Sequence, residues 1–135
     1  MQDIRLKGAI SFCIILTIIV IDYFSKQYAL LFDQNYALNS FITIYKMNNY
    51  GIAFSLFNEL EGVGQLILNI VIFLILVFIA RELFTNLASS NLYLIGLSLI
   101  LGGGSANFID RYDNSAVTDF IILHYKDIYF PAVFN

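Results

Sequence analysis

Histidine, cysteine and proline occur once each, and charged side chains make up only 13% of the 135 residues. The lone cysteine, Cys13, cannot close an internal disulfide, and one histidine at the far end of the chain does not complete a metal ligand set. No metal or other cofactor is expected. The formal net charge is -3, and no basic cluster exists to favour a nucleic-acid partner or a polybasic lipid-binding patch. No glycine-rich loop follows a strand as a phosphate cradle requires, and no serine has a convincing base beside it. Internal repeats and low-complexity segments are missing too, and the single proline, Pro131, falls in the tail.

What is abundant is apolar surface. Hydrophobic residues reach 59%, more than a soluble domain of this length can hide in one core. They are gathered in blocks instead of being spread at amphipathic spacing. Residues 8–24, 63–80 and 92–109 each reach or approach the ~20 apolar residues needed to cross a bilayer. These blocks predict an all-α integral membrane protein folded as one domain, 1–135, with a loop at 25–62 and a tail at 110–135. Arg5 and Lys7 give the first block a basic start like that of a signal peptide, but no small-x-small cleavage site follows and Asp22 interrupts its end. A lipidated Cys13 would need small residues before it, where Phe12 stands, so Cys13 is read as an apolar packing or membrane-facing residue.

Arg5, Lys7 and Arg81 lie in short flanks, whereas Lys26, Lys46, Arg111 and Lys126 are spread over two longer segments. This density places the N-terminus in the cytoplasm, with the loop and tail together on the opposite side. Within the loop, residues 41–47 are rich in β-branched and aromatic side chains, and Asn48-Asn49-Tyr50-Gly51 is a turn-former. A short strand and turn are expected, giving a small extracytoplasmic β-element between the first and second helices.

Ionisable groups at the edge of hydrocarbon are costly and mark candidate function. Asp22 and Lys26 stand four apart at the end of the first helix, close enough to pair. Taken alone they read as a snorkelling interfacial pair. Gly102-Gly103-Gly104 thins the third helix and allows close helix approach. Beyond it, Asn107, Asp110 and Arg111 fall at i, i+3 and i+4, a spacing that shares one face. Arg111 is expected to hold Asp110 through charge-assisted hydrogen bonds, and Asn107 to donate to substrate or a neighbouring loop. Asp119, flanked by apolar residues, sits where ionisation is disfavoured. His124 and Asp127 have no partner at a recognisable spacing.

The ordered series Asp22-x-x-x-Lys26, Asn49-x-Gly51-x-Ala53-Phe54-Ser55, Asn107-x-x-Asp110-Arg111, Val117-x-Asp119-Phe120 and Phe130-Pro131-x-x-Phe134-Asn135 resembles the lipoprotein signal peptidases, or signal peptidase II. The resemblance implies a bacterial inner-membrane aspartic endopeptidase with four membrane helices. Such an enzyme removes signal peptides from prolipoproteins just before the diacylglyceryl-cysteine, at the extracytoplasmic face. It makes Asp119 one catalytic aspartate. Asp22, Lys26, Asn49, Gly51, Asn107, Asp110, Arg111 and Asn135 become supporting or substrate-binding residues. Ala106 replaces the glycine usual before the asparagine.

In that family the second catalytic aspartate comes three residues after the Phe-Asn motif, here Phe134-Asn135, so it and the fourth helix are expected beyond Asn135. One aspartate cannot be acid and base at once, and little or no peptidase activity is expected of these 135 residues. Asp110 is a poor substitute if Arg111 holds it ionised. Two alternatives stand beside the enzyme: a non-catalytic signal-peptide-binding remnant, and a helix-packing membrane component using the glycines, Gln65 and Asn69 as interface glue.

Overall fold

The computed structural model describes residues 2–32, 35–52, 56–126 and 128–135. Its elements run α1 (Gln2–Ala29), β1 (Tyr36–Ala37), β2 (Ile42–Asn49), α2 (Val63–Thr85), α3 (Asn91–Asn114), β3 (Val117–Tyr125) and β4 (Ile128–Phe134). All three helices are long and apolar enough to cross a membrane. Each extends past its expected span, because its polar ends find partners within the chain. Cys13 is exposed among the apolar side chains of α1, as expected for a membrane-facing residue.

The helices differ in how much apolar surface they bury. In α2 only Leu83 is fully buried, and most of its other large apolar side chains are exposed on a helix that is hydrophobic all round. Such a surface suits lipid, not water. The central helix is α3, which packs on α1 and α2 and buries Leu94, Ser98, Leu101, Gly102, Ala106 and Arg111. Two of its glycines explain this position. A Cβ on Gly102 would stand 2.9 Å from Cβ of Ile18 on α1, and one on Gly104 would stand 2.7 Å from Cδ2 of Leu76 on α2. The two neighbours approach α3 from different sides; at Gly102 the facing atom is the branched Cβ of Ile18, with the Ile15 carbonyl oxygen at 3.2 Å, and at Gly104 it is the tip of Leu76. Leu83, Leu94 and Leu101, with Ile15, Leu76 and Ile79 against them, form the core between the helices.

The strands form one antiparallel sheet in the order β1-β2-β3-β4. The strand expected near residues 41–47 is present as β2. Half the sheet, however, comes from the tail, where no strand was expected. Residues 121–123 are continuously apolar and read ambiguously alone; β2 and β4 on either side supply the pairing that makes them a strand. Ala29, Ile44 and Phe120 join the sheet to the end of α1.

The register fixes which residues share a face. Met47 pairs with Asp119, Asn48 with Thr118 and Asn49 with Val117. Side chains alternate along a strand, so Asn49, Val117 and Asp119 project from one face and Asn48 and Thr118 from the other.

Candidate functional site

Asp119, 6% exposed, is the third residue of β3, soon after α3 ends at Asn114. Its Oδ2 accepts a hydrogen bond of 2.9 Å from Nδ2 of Asn49, its diagonal neighbour in the sheet. Asn49 is itself held: Nδ2 also donates to the Ile52 carbonyl at 3.2 Å, and Oδ1 accepts from the Gly51 amide at 3.0 Å. Gly51 must be glycine, since a Cβ there would lie 2.0 Å from the Leu56 carbonyl oxygen. Ala53, Phe54 and Ser55 of this motif lie outside the described residues.

Lys26, 5% exposed, is the second fixed point. Its ammonium lies 2.8 Å from Oδ2 of Asp22 and 3.2 Å from Oδ2 of Asp110, and donates to Oδ1 of Asn107 at 3.0 Å. All three N–H donors of the ammonium thus have an acceptor. Asp110 also accepts from the Thr118 amide at 2.7 Å and from Nδ2 of Asn114 at 2.6 Å. The Thr118 bond clamps the Val117–Thr118 peptide, one unit before that of Asp119. The pair expected from the Asp22 to Lys26 spacing is therefore present, but as part of a four-residue cluster that ties α1 to α3.

One expectation is corrected here. Arg111 does not hold Asp110: its guanidinium donates to the carbonyls of Gly51 and, at 3.5 Å, Asn107, while Lys26, Thr118 and Asn114 take Asp110. The reason is helical geometry, since neighbours in sequence are about 100° apart around the axis. Asp110 turns toward α1 and Arg111 toward the loop after β2. Asn107 meets its neighbours through its side-chain oxygen: Oδ1 accepts from Lys26 at 3.0 Å and from Nδ2 of Asn135 at 2.7 Å.

Asn49, Asn107, Arg111, Asp119 and Asn135 line one cavity of about 360 Å³, walled by Ile72 of α2, Gly104 of α3 and residues 132–134 of β4. Asp119 is the only carboxylate among its described lining residues. Asp22, Lys26 and Asp110 line no part of it. Burial pushes the Asp119 carboxyl above the ordinary carboxylate value. The Asn49 hydrogen bond and the charges of Lys26 and Arg111 oppose that rise, and Asp110 adds to it. The apolar flanks of Asp119 in the sequence pointed the same way.

Some participants were missed. Asn114 stands at i+4 from Asp110, a spacing legible in the sequence. Gln65 Nε2 donates to the Tyr50 carbonyl at 2.8 Å, and Asn58 Oδ1 accepts from the Tyr50 amide at 2.8 Å, so both brace the turn carrying Asn49. Neither carried a local signal for that role. His124 does have a partner, Thr43, whose Oγ1 is 3.0 Å from Nε2, but it lines no part of the Asp119 cavity. Asp127 lies outside the described residues. Among the described residues no group of His, Cys, Asp and Glu is placed to hold a metal ion.

A family model described as signal peptidase (SPase) II matches residues 14–135. The lipoprotein signal peptidase of Wigglesworthia glossinidia brevipalpis is 34% identical over 128 residues, covering 90% of this chain and 80% of that protein. That of Coxiella burnetii is 36% identical over 121 residues, covering 87% and 74%. That of Bartonella tribocorum is 35% identical over 95 residues, covering 70% of this chain and 55% of the relative. The chain thus spans little more than half the length of some curated relatives it matches. Two solved structures of bacterial membrane enzymes share the fold, with TM-scores of 0.69 and 0.68 over 94% of this chain, at 23% identity. The chain covers 77% and 81% of those structures.

Proposed function

Because the chain belongs to the signal peptidase II family, we propose that Asp119 is one carboxylate of an aspartic endopeptidase site that cleaves prolipoproteins before their diacylglyceryl-cysteine. The observation that carries this reading is a buried aspartate with a raised pKa, oriented by Asn49 and facing a cavity where the sheet meets the helices.

Amide hydrolysis by two carboxylates divides the work: an ionised one takes a proton from water, and a neutral one donates to the carbonyl and then to the leaving nitrogen. The raised pKa of Asp119 suits a group that shares a proton with a partner. Asp110 is not that partner, since Lys26, Thr118 and Asn114 occupy it away from the cavity. The partner is the aspartate that the family resemblance puts three residues after Asn135. The Asn135 to Asn107 hydrogen bond leaves the end of β4 at the cavity, so three extended residues, ~10 Å, deliver a carboxylate to it. Asn49 orients Asp119, Arg111 fixes the Gly51 turn, and the Lys26 cluster holds α1, α3 and the start of β3 in place.

By this reading the protein is a multi-pass protein of the bacterial inner membrane, with a cytoplasmic N-terminus. The sheet and the cavity face outward, where they meet the lipid-modified prolipoprotein at the membrane surface.

The test uses three purified proteins: the 135 residues, a version continued through the second aspartate and a fourth apolar span, and that version with Asp119→Asn. A gel-shift assay on a diacylglyceryl-modified prolipoprotein should show cleavage by the continued parent alone, with Asp119→Asn slower by about 10²–10⁴-fold. Undiminished cleavage by the Asp119→Asn protein would refute the proposal.

A further inference from the structure

A second cavity, of about 460 Å³, lies on the other side of the Lys26 cluster and shares no lining residue with the first. The alternation that aims Asn49 and Asp119 at the first cavity aims Asn48 and Thr118 at the second. On α3, Asn107 and Arg111 line one while Ala106 and Asp110 line the other. The proposed reaction makes no use of this second space.

Its walls are sorted by depth. Along α1 the lining begins with Ile19 and Val20, passes Asp22, Tyr23 and Phe24, and runs through Lys26 and Gln27 to Leu30 just beyond the helix. From Ile19 to Gln27 they span ~12 Å along the axis. On α3 Ile109 precedes Asp113 and Asn114. Toward the sheet both helices present charged and amide side chains, with Leu30 beyond them, and toward the middle of the spans Ile19, Val20 and Ile109 make the lining apolar. Tyr23 and Phe24 are 57% and 64% exposed, so the groove opens sideways to the surface where acyl chains would lie, with aromatic rings at the level typical of a membrane interface.

The polar end carries one free cation and one free anion. Neither Lys46 nor Asp113 has an ion-pair partner among the described residues. Counting the Lys26 cluster, the cavity holds Asp22, Asp110 and Asp113 against Lys26 and Lys46. A headgroup with only negative charge would meet an excess of carboxylates. A headgroup carrying a phosphate and an ammonium can satisfy Lys46 and Asp113 together, with the Gln27 and Asn48 amides beside them.

We propose that this groove is a binding site for one zwitterionic aminophospholipid, with its phosphate at Lys46, its primary ammonium at Asp113 and an acyl chain along Ile19, Val20 and Ile109. A bound lipid would seal the outer wall of the Lys26 cluster against water. The site is independent of the peptidase reading.

The test reconstitutes the protein in bilayers of equal phosphatidylethanolamine and phosphatidylglycerol, extracts it in mild detergent and counts retained lipids by native mass spectrometry. One phosphatidylethanolamine per chain is expected, with Lys46→Glu and Asp113→Lys each lowering retention about fivefold, the loss of one exposed ion pair. Lys46→Arg and Asp113→Glu should keep it. Circular dichroism confirms that each variant is folded; Gln27→Leu and Asn48→Leu serve as weaker second variants if a charge reversal is not. Equal retention of both lipids, equal retention of phosphatidylcholine in its place, or full retention by the charge-reversed proteins would overturn the proposal. So would a lipid-free dimer with a second copy in the groove.

Discussion

Replacing Lys26 by methionine keeps the length of the side chain and removes its charge. The ammonium is 5% exposed and sits against Asp22, Asp110 and Asn107 at 2.8, 3.2 and 3.0 Å. The Asp22 and Asp110 side chains are only 16% and 9% exposed, so water cannot take over the lost role. Two desolvated carboxylates would then face one another with no cation between them. Breaking a buried ion pair from one side costs about 3–5 kcal/mol, and the value here belongs near the upper end because one ammonium serves both acids. The measurement is equilibrium unfolding of purified protein in mixed micelles, followed by circular dichroism. The reasoning also requires a rescue: Asp22→Asn and Asp110→Asn, added to Lys26→Met, should recover most of the loss, since the amide at 110 can still accept from Thr118. A loss under about 1 kcal/mol, the size of an exposed pair, or no recovery in the triple variant, would refute the view that this cluster is a buried, charge-balanced joint.

The glycines of α3 should separate by geometry. Gly102→Ala brings a Cβ to 2.9 Å from Ile18 Cβ, an atom that cannot swing away, and should destabilise by about 1–3 kcal/mol. Gly104→Ala meets only the tip of Leu76 and should cost less. Gly103→Ala meets nothing within 4 Å and should be neutral or stabilising by up to ~1 kcal/mol from helix propensity, all read by the same unfolding assay. Asn49→Leu removes a hydrogen bond that lowers the Asp119 pKa, so the carboxyl resonance of Asp119 should titrate at higher pH than in the parent; an unchanged midpoint would count against the assigned contact. The pKa of Asp119 is raised on folding, so the folded protein binds its proton more tightly than the unfolded chain. Between the ordinary carboxylate value and the raised one, stability therefore falls as pH rises, and Asp119→Asn should gain on the parent over that interval.

The helices were legible because lipid imposes a simple demand: a block of apolar residues without charge, as in residues 63–80, permits little else. Polar clusters were legible where partners are local, as with Asp22 and Lys26 at one helical spacing. The failures came where a partner arrives from elsewhere in the chain. Asp110 was assigned to its neighbour Arg111, yet its ligands are Lys26 from α1 and the Thr118 amide from β3. Half of the sheet was unread because β3 becomes recognisable only once β2, far away in sequence, lies alongside it.

The same long-range partners explain why one polar helix end serves two purposes. At the end of α3, Asp110 turns toward α1 and Arg111 toward the turn after β2. The charge of Asp110, the carboxylate that raises the Asp119 pKa, is thereby neutralised by Lys26 on the far side of the helix. The positive charge of Arg111, by contrast, stays on the cavity side. An aspartate buried beside an uncompensated carboxylate would be held neutral over most of the pH range and could not act as a base. With Asp110 engaged by Lys26, and with Arg111 and Asn49 close by, the carboxyl of Asp119 is raised by burial yet keeps access to its ionised form. Exchanging the two residues, Asp110→Arg with Arg111→Asp, preserves composition but reverses this arrangement. It should abolish folding or push Asp119 to titrate well above its position in the parent, and a folded exchange variant with an unchanged Asp119 midpoint would show that the sidedness of α3 does not set the charge of the site.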